Sequence, residues 1–174
     1  AVTDSNSKFL YVFDSYVHNP ELVSSITSNA VYYSFQDSRD RIWVATFGGG
    51  LNLLQTNGNN KVFKHLVNSF YDYPNLGQFM EVRTIAEDST GRIWVGTTNG
   101  LMSFDGDFTS SDDIKFETYL NDHAMLSNDI YYFFQDKENN LWVSIFGVGV
   151  NKLVGYDSKR HLPIFETYGI RDGL

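Results

Sequence analysis

One stretch of this chain occurs three times. An Asp is followed six residues later by a Trp, and six or seven residues beyond that comes a Gly. The copies are Asp37, Trp43 and Gly50; Asp88, Trp94 and Gly100; Asp136, Trp142 and Gly149. These are the chain's three tryptophans, and they stand 51 and 48 residues apart. A fixed period near 50 residues means stacked copies of one supersecondary unit. A second marker keeps the same period: Phe13-Asp14-Ser15-Tyr16 returns as Phe116-Glu117-Thr118-Tyr119 and Phe165-Glu166-Thr167-Tyr168, with a degenerate copy at Phe63-Lys64-His65-Leu66.

Between the markers each unit reads as strands and turns. Apolar runs at Val31 to Phe35, Val82 to Ala86 and Ile130 to Phe134 suit strands covered on both faces. Each leads into a turn at the Asp. Its side chain can accept backbone N–H bonds a few residues on, while Gly91, Asp40 and Asn139-Asn140 tolerate the left-handed region. A strand through Trp follows, then a Gly-containing bend, a third strand, and a last strand at the Phe marker. The run from Lys8 to Tyr16 reads as one such last strand. Linking loops span roughly 17–29, 67–80 and 121–128. No segment carries helical periodicity.

Four-stranded units at this period are the mark of β-propeller blades, and closed propellers use 4–8 of them. The expected fold is all-β, a β-propeller fragment of about three four-stranded antiparallel blades within 1–174, part of a larger ring. Counted from the Phe marker, the repeats run about 13–62, 63–115 and 116–164, with 165–174 leading into a further repeat. Open blade faces lead us to expect association with the rest of a ring or with a second copy.

Composition narrows the function. The 14 Phe and 11 Tyr favour strands. A net charge of -8 argues against a nucleic-acid partner. No apolar run approaches a membrane span, so no membrane contact is expected of this segment. The absence of Cys excludes disulfides and thiolate metal sites but does not place the protein in a compartment. The chain begins without Met or signal peptide, as a processed or excised segment would.

Few residues invite a chemical reading. The repeated Asp37, Asp88 and Asp136 would sit on separate blades as turn caps. They lack the spacing of a calcium loop. His18, His65, His123 and His161 are scattered, with no metal-ligand spacing. Gly48-Gly49-Gly50 has no following Lys-Ser/Thr, and there is no G-x-S-x-G elbow. No catalytic residue, metal site or cofactor is expected. The loop Phe70-Tyr71-Asp72-Tyr73-Pro74-Asn75 is the most suggestive surface feature, since aromatic faces beside polar groups suit sugar rings. Asp14, Tyr16, Tyr71, Tyr73 and Asn75 are therefore the candidate ligand contacts. The competing reading packs Tyr71 and Tyr73 over a neighbouring blade.

The second copy, Asp88-x-x-Gly91-x-Ile93-Trp94-Val95-Gly96-Thr97-x-x-Gly100-Leu101, resembles the two-component-regulator propeller repeat. The other copies agree at the Asp, the Trp and the last Gly, and depart at Ala45-Thr46 and Ser144-Ile145. The resemblance implies the periplasmic sensor region of a Bacteroides-type hybrid two-component histidine kinase. It implies an oligosaccharide ligand, signalling across the membrane, and no catalysis in this segment. Two rivals remain: a carbohydrate-active enzyme on a propeller fold, which would need clustered Arg or a close carboxylate pair, and a protein-interaction scaffold.

Overall fold

A computed structural model describes residues 2–3, 9–10, 13–74, 77–120 and 127–173. Strands β1 (Val2–Thr3) and β2 (Phe9–Leu10) pair with each other in a small ladder of their own. The expected strand from Lys8 to Tyr16 is thus corrected. Phe9–Leu10 joins no blade, Phe13 to Tyr16 has no strand geometry, and Lys8, Tyr11 and Val12 lie outside the described residues. A last strand exists only by hydrogen bonding to a third one, and the ladder with Val2–Thr3 does not supply it.

Three four-stranded antiparallel sheets make up the rest. Blade 1 holds β3 (Val31–Gln36), β4 (Ile42–Thr46), β5 (Gly50–Asn57) and β6 (Asn60–Lys64). Blade 2 holds β7 (Val82–Glu87), β8 (Arg92–Thr97), β9 (Gly100–Asp105) and β10 (Glu117–Tyr119). Blade 3 holds β11 (Ile130–Gln135), β12 (Leu141–Ile145), β13 (Gly149–Asp157) and β14 (Leu162–Tyr168). Within each blade the strands pair in chain order. Short 3-10 turns at Gly77–Met80, Ser111–Asp113 and Ile170–Asp172 complete the regular structure among the described residues. This is the expected all-β architecture, and three blades do not close a ring.

The repeat extends to irregularities. The first ladder of every blade breaks register at the same place, at Val31/Tyr33, Val82/Thr84 and Ile130/Tyr132. Such a bulge bends and twists the strand where blades converge. The glycines after each Trp hairpin have positive φ: 75° at Gly50, 140° at Gly100 and 130° at Gly149. A Cβ on Gly100 would stand 2.9 Å from the carbonyl oxygen of Tyr119.

The core lies between blades. Trp43, Ala45, Leu51 and Leu53 of blade 1 face Ile93, Val95, Met102 and Phe104 of blade 2. Trp94 and Leu101 of blade 2 face Leu141, Val143 and Ile145 of blade 3. Trp43 and Trp94 therefore point at the following blade. Trp142 has no described blade beyond it and is only half-buried, against Tyr168 at 5.6 Å and under the Lys152 amine.

The expectation that all three opening strands are buried on both faces holds for one. β7 packs between β3 and β11 and is largely buried. β3 and β11 each have a blade on one side and present more than half of their side chains to solvent, leaving Tyr132 47% and Phe134 58% exposed. The apolar runs are alike; their surroundings differ.

Candidate functional site

Each meander puts its two kinds of connection at opposite ends. The turns after the first and third strands gather at one end, with the repeated Asp. The bends at Gly48–Gly49 and their counterparts gather at the other, with the loops that link blades. Any site built from several blades must lie at one of these ends.

At the Asp end the three turns share one geometry. The Asp37 carboxylate accepts backbone N–H bonds from Arg39 (3.0 Å) and Arg41 (2.9 Å) through one oxygen. Through the other it accepts the Trp43 indole N–H at 2.8 Å. Asp88 does the same with Thr90, Arg92 and Trp94 (2.8, 3.2 and 2.7 Å). Asp136 does so with Glu138, Asn140 and Trp142 (2.9, 2.9 and 2.8 Å). Sequence reasoning anticipated the backbone bonds and missed the indole, which explains the constant spacing of six residues. Asp40, Gly91 and Asn139 all have positive φ, at 61°, 85° and 63°.

These carboxylates are tuned for structure. Burial opposes charge on Asp37, but the Trp43 and Arg41 bonds outweigh it and hold the carboxyl below the ordinary range. The Trp142 indole, aided by Asn140, brings Asp136 down to about 2. An acceptor already holding three N–H groups has little capacity left for a ligand.

The candidate ligand contacts do not form one site. Asp14 and Tyr16 line a surface hollow with Leu22, Ser24 and Asn60, and Tyr16 packs edge-on against Phe63 at 5.7 Å. Tyr71 is 73% exposed. Tyr73 is corrected: it is 6% exposed, its hydroxyl donates to the Phe79 carbonyl at 2.7 Å, and its ring meets Phe116 edge-on at 5.0 Å. Burial pushes its phenol well above the ordinary range. Tyr73 belongs to the core between blades 1 and 2, as the competing packing reading had it. Asn75 lies outside the described residues.

Two other openings draw on several elements. At the linking end, a hollow of about 280 Å³ includes His18, Leu22, Ile26, Gly49, His65 and Met80 in its lining. The Nε2 of His65 lies 2.9 Å from the Val23 carbonyl, and its Nδ1 accepts from the Val67 N–H at 3.3 Å. That pattern sets the tautomer, with the proton on Nε2. Burial lowers the His65 pKa from its ordinary value. Sequence reading left these histidines scattered; the loops unite two of them.

At the Asp end, a larger cleft of about 650 Å³ separates blades 2 and 3. Its back wall is a polar cluster: Arg92 donates to Glu117 and to Ser103 (2.8 Å), and its guanidinium lies 4.6 Å above the Tyr156 ring. The Tyr156 and Tyr119 hydroxyls reach the same Glu117 oxygen at 2.6 and 2.9 Å. Glu117 and Tyr119 belong to the Phe-x-x-Tyr marker, but nothing in spacing alone says that Tyr156 of the next blade meets them. Arg39, Arg41, Arg83 and Arg92 each pair with a carboxylate, at Glu87, Asp37, Asp129 and Glu117. Among the described residues no group of three His, Asp or Glu could hold a metal ion, and no helix is long and apolar enough to cross a membrane.

The family model described as two component regulator propeller matches residues 25–48, 77–99 and 124–147. Each blade thus carries one stretch that matches the two-component regulator propeller repeat. Each match runs from the end of a linking loop through the first two strands and the Asp–Trp turn between them. The regulator-propeller repeats also have counterparts among solved structures. The extracellular domain of a protein assigned to the hybrid two component systems of B. thetaiotaomicron superposes with a TM-score of 0.60 at 22% identity, covering 90% of this chain and 19% of that one. A second such domain from the same organism is 20% identical, with a TM-score of 0.40 and coverage of 96% and 23%. A carbohydrate-active enzyme of family AA12 from Trichoderma reesei is 15% identical, with a TM-score of 0.44 and coverage of 75% and 31%. The chain spans about a fifth of the length of the first structure, and that likeness establishes the fold. No curated protein matches the chain.

Proposed function

We propose that this chain is a ligand-sensing, extracytoplasmic segment of a hybrid two-component system, in which it detects an oligosaccharide and passes the event across the membrane to a histidine kinase. The observation that carries the reading is the threefold match to regulator-propeller repeats, each falling on an Asp–Trp turn of a separate blade. The periplasm is the compartment this role requires. The segment binds and does not turn over its ligand: Arg39, Arg41, Arg83 and Arg92, which an acidic substrate could have used, are held by Asp and Glu of the protein itself.

The mechanism is a population shift. A ligand changes kinase output only by binding one arrangement of the sensor better than another. Polar clefts between blades are suited to this, because their width follows the angle between two rigid sheets. The exposed Trp142 face of blade 3 completes the picture. The equivalent faces of blades 1 and 2 are covered by the next blade, so the Trp142 face docks a further blade, supplied by the rest of its propeller or by a second copy.

Calorimetric titration of the chain with an oligosaccharide panel tests the reading, followed by phosphorylation assays on the full receptor. Saturable binding together with sugar-dependent phosphate incorporation is expected. Turnover of any panel member, or a receptor whose phosphorylation ignores every sugar, overturns it.

A further inference from the structure

The repeats provide an internal control, because the chain contains the same inter-blade junction twice. Between blades 1 and 2 the Asp end is shut. Ser38 gives both its backbone N–H (2.6 Å) and its hydroxyl (2.7 Å) to Glu87. Arg39 reaches Glu87 and Asp107 across the junction. Arg41 donates to the Gly106 carbonyl at 2.8 Å and lies 4.1 Å over the Phe108 ring. The loop after β9 thus folds into the gap and fills it.

Between blades 2 and 3 the Ser38 and Arg39 closures are lost, while Arg92, the counterpart of Arg41, still lies over a ring of the next blade, Tyr156, at 4.6 Å. The strand pairings put Ser89, Thr90 and Gln135 where the first junction has Ser38, Arg39 and Glu87. Thr90 has no charge to send across and turns back to its own Asp88 at 2.6 Å. Gln135 offers no carboxylate to Ser89. Beyond Gly155, the counterpart of Gly106, β13 continues as a hairpin to Asp157 instead of folding over the gap. The result is the cleft of about 650 Å³; a separate hollow of about 510 Å³ beside it is lined by all three blades, from Gln36 and Ser38 through Glu87 and Ser89 to Gln135 and Asn139. The volume of the cleft is in the range of small-ligand sites.

We propose that this cleft between the Asp turns of blades 2 and 3 is the binding groove for a short neutral oligosaccharide. The assignment rests on the sensing reading above and names its site. The chemistry of the walls selects the ligand. Ser89, Thr90, Asn139 and Asn140 present hydroxyl and amide groups, which match a hydroxyl-rich ligand. Tyr156 adds a half-buried ring, and Leu153 and Val154 an apolar patch for sugar C–H faces. Of the two cations in the lining, Arg92 is already neutralised by Glu117 and the Lys152 amine lies over the Trp142 ring, so neither is set up as the partner of an acidic sugar.

The test transplants the closed junction onto the open one. The double variant Thr90→Arg with Gln135→Glu restores the pair seen at Arg39 and Glu87 and bridges the cleft without removing any core contact. The wild-type chain is titrated with neutral di- to tetrasaccharides, with uronic-acid and sulfated saccharides as comparison arms. At least one neutral saccharide is expected to bind, with affinity falling tenfold or more in the double variant while its Tm is unchanged or higher. Asn139→Gly, which keeps the left-handed turn and deletes the amide, is expected to weaken binding several-fold and serves if the double variant does not fold. Wild-type binding that both variants leave intact overturns the cleft and leaves the sensing reading standing. Binding of acidic saccharides alone overturns the ligand class. A wild-type chain silent to the whole panel overturns both proposals.

Discussion

The smallest unit that matters here is one carboxylate. Asp37 holds two backbone N–H groups and an indole N–H within a seven-residue stretch, so it sets the turn and the Trp rotamer together. Asp37→Asn keeps one oxygen for the backbone but presents an amide to the indole, leaving a buried donor facing a donor. The expected cost is about 1–3 kcal/mol by chemical denaturation. Acid acts on the same bonds. The folded pKa of Asp37 is depressed and that of Asp136 is about 2, against an ordinary 3.8. Their contribution is therefore present above about pH 4 and lost as pH falls towards 2. A stability profile flat between pH 4 and 2 would contradict this. The third member of the motif is steric: Gly100→Ala combines a φ of 140° with a Cβ 2.9 Å from the Tyr119 carbonyl. It should destabilise by more than about 1 kcal/mol.

At the scale of strands and blades, burial separates copies that look alike in sequence. Trp94 sits between two sheets and is fully buried, whereas Trp142 lies on a face with no described blade against it. Trp94→Ala is expected to cost about 3–5 kcal/mol. Trp142→Ala should cost less than about 2 kcal/mol, because part of that ring is already in water. Equal losses in denaturation experiments would mean that the Trp142 face is covered in solution. Tyr73 belongs to the same level. In sequence it is a candidate ligand contact because it stands in a loop with Tyr71, yet alternate residues of that loop part ways, one into the junction and one into solvent.

For the molecule as a whole, the proposed docking through the open aromatic face of blade 3 predicts association. Tyr132, Phe134 and Trp142 together offer what the Trp43 and Trp94 faces bury against a neighbour. Sedimentation of the chain should show a concentration-dependent mass above 19.9 kDa. Phe134→Lys, which puts a charge on that face, should return it to the single-chain mass. A wild-type chain with the single-chain mass at all concentrations would argue against docking through this face.

The Asp–Trp–Gly spacing, the apolar runs before it and the Phe marker after it were enough to determine the number of blades, their four-strand composition and their order, because the bonds that make each Asp turn close within a few residues and need nothing from elsewhere. The left-handed positions at Asp40, Gly91 and Asn139 were legible for the same reason. What faces what was decided only by the tertiary structure: the burial of β7 but not of β3 or β11, the place of Tyr73, the meeting of Arg92, Glu117 and Tyr156, and the difference between a shut and an open junction. Each depends on a residue about one repeat away standing across a gap. Arg39 against Thr90, and Glu87 against Gln135, are single letters whose meaning appears once two blades are side by side.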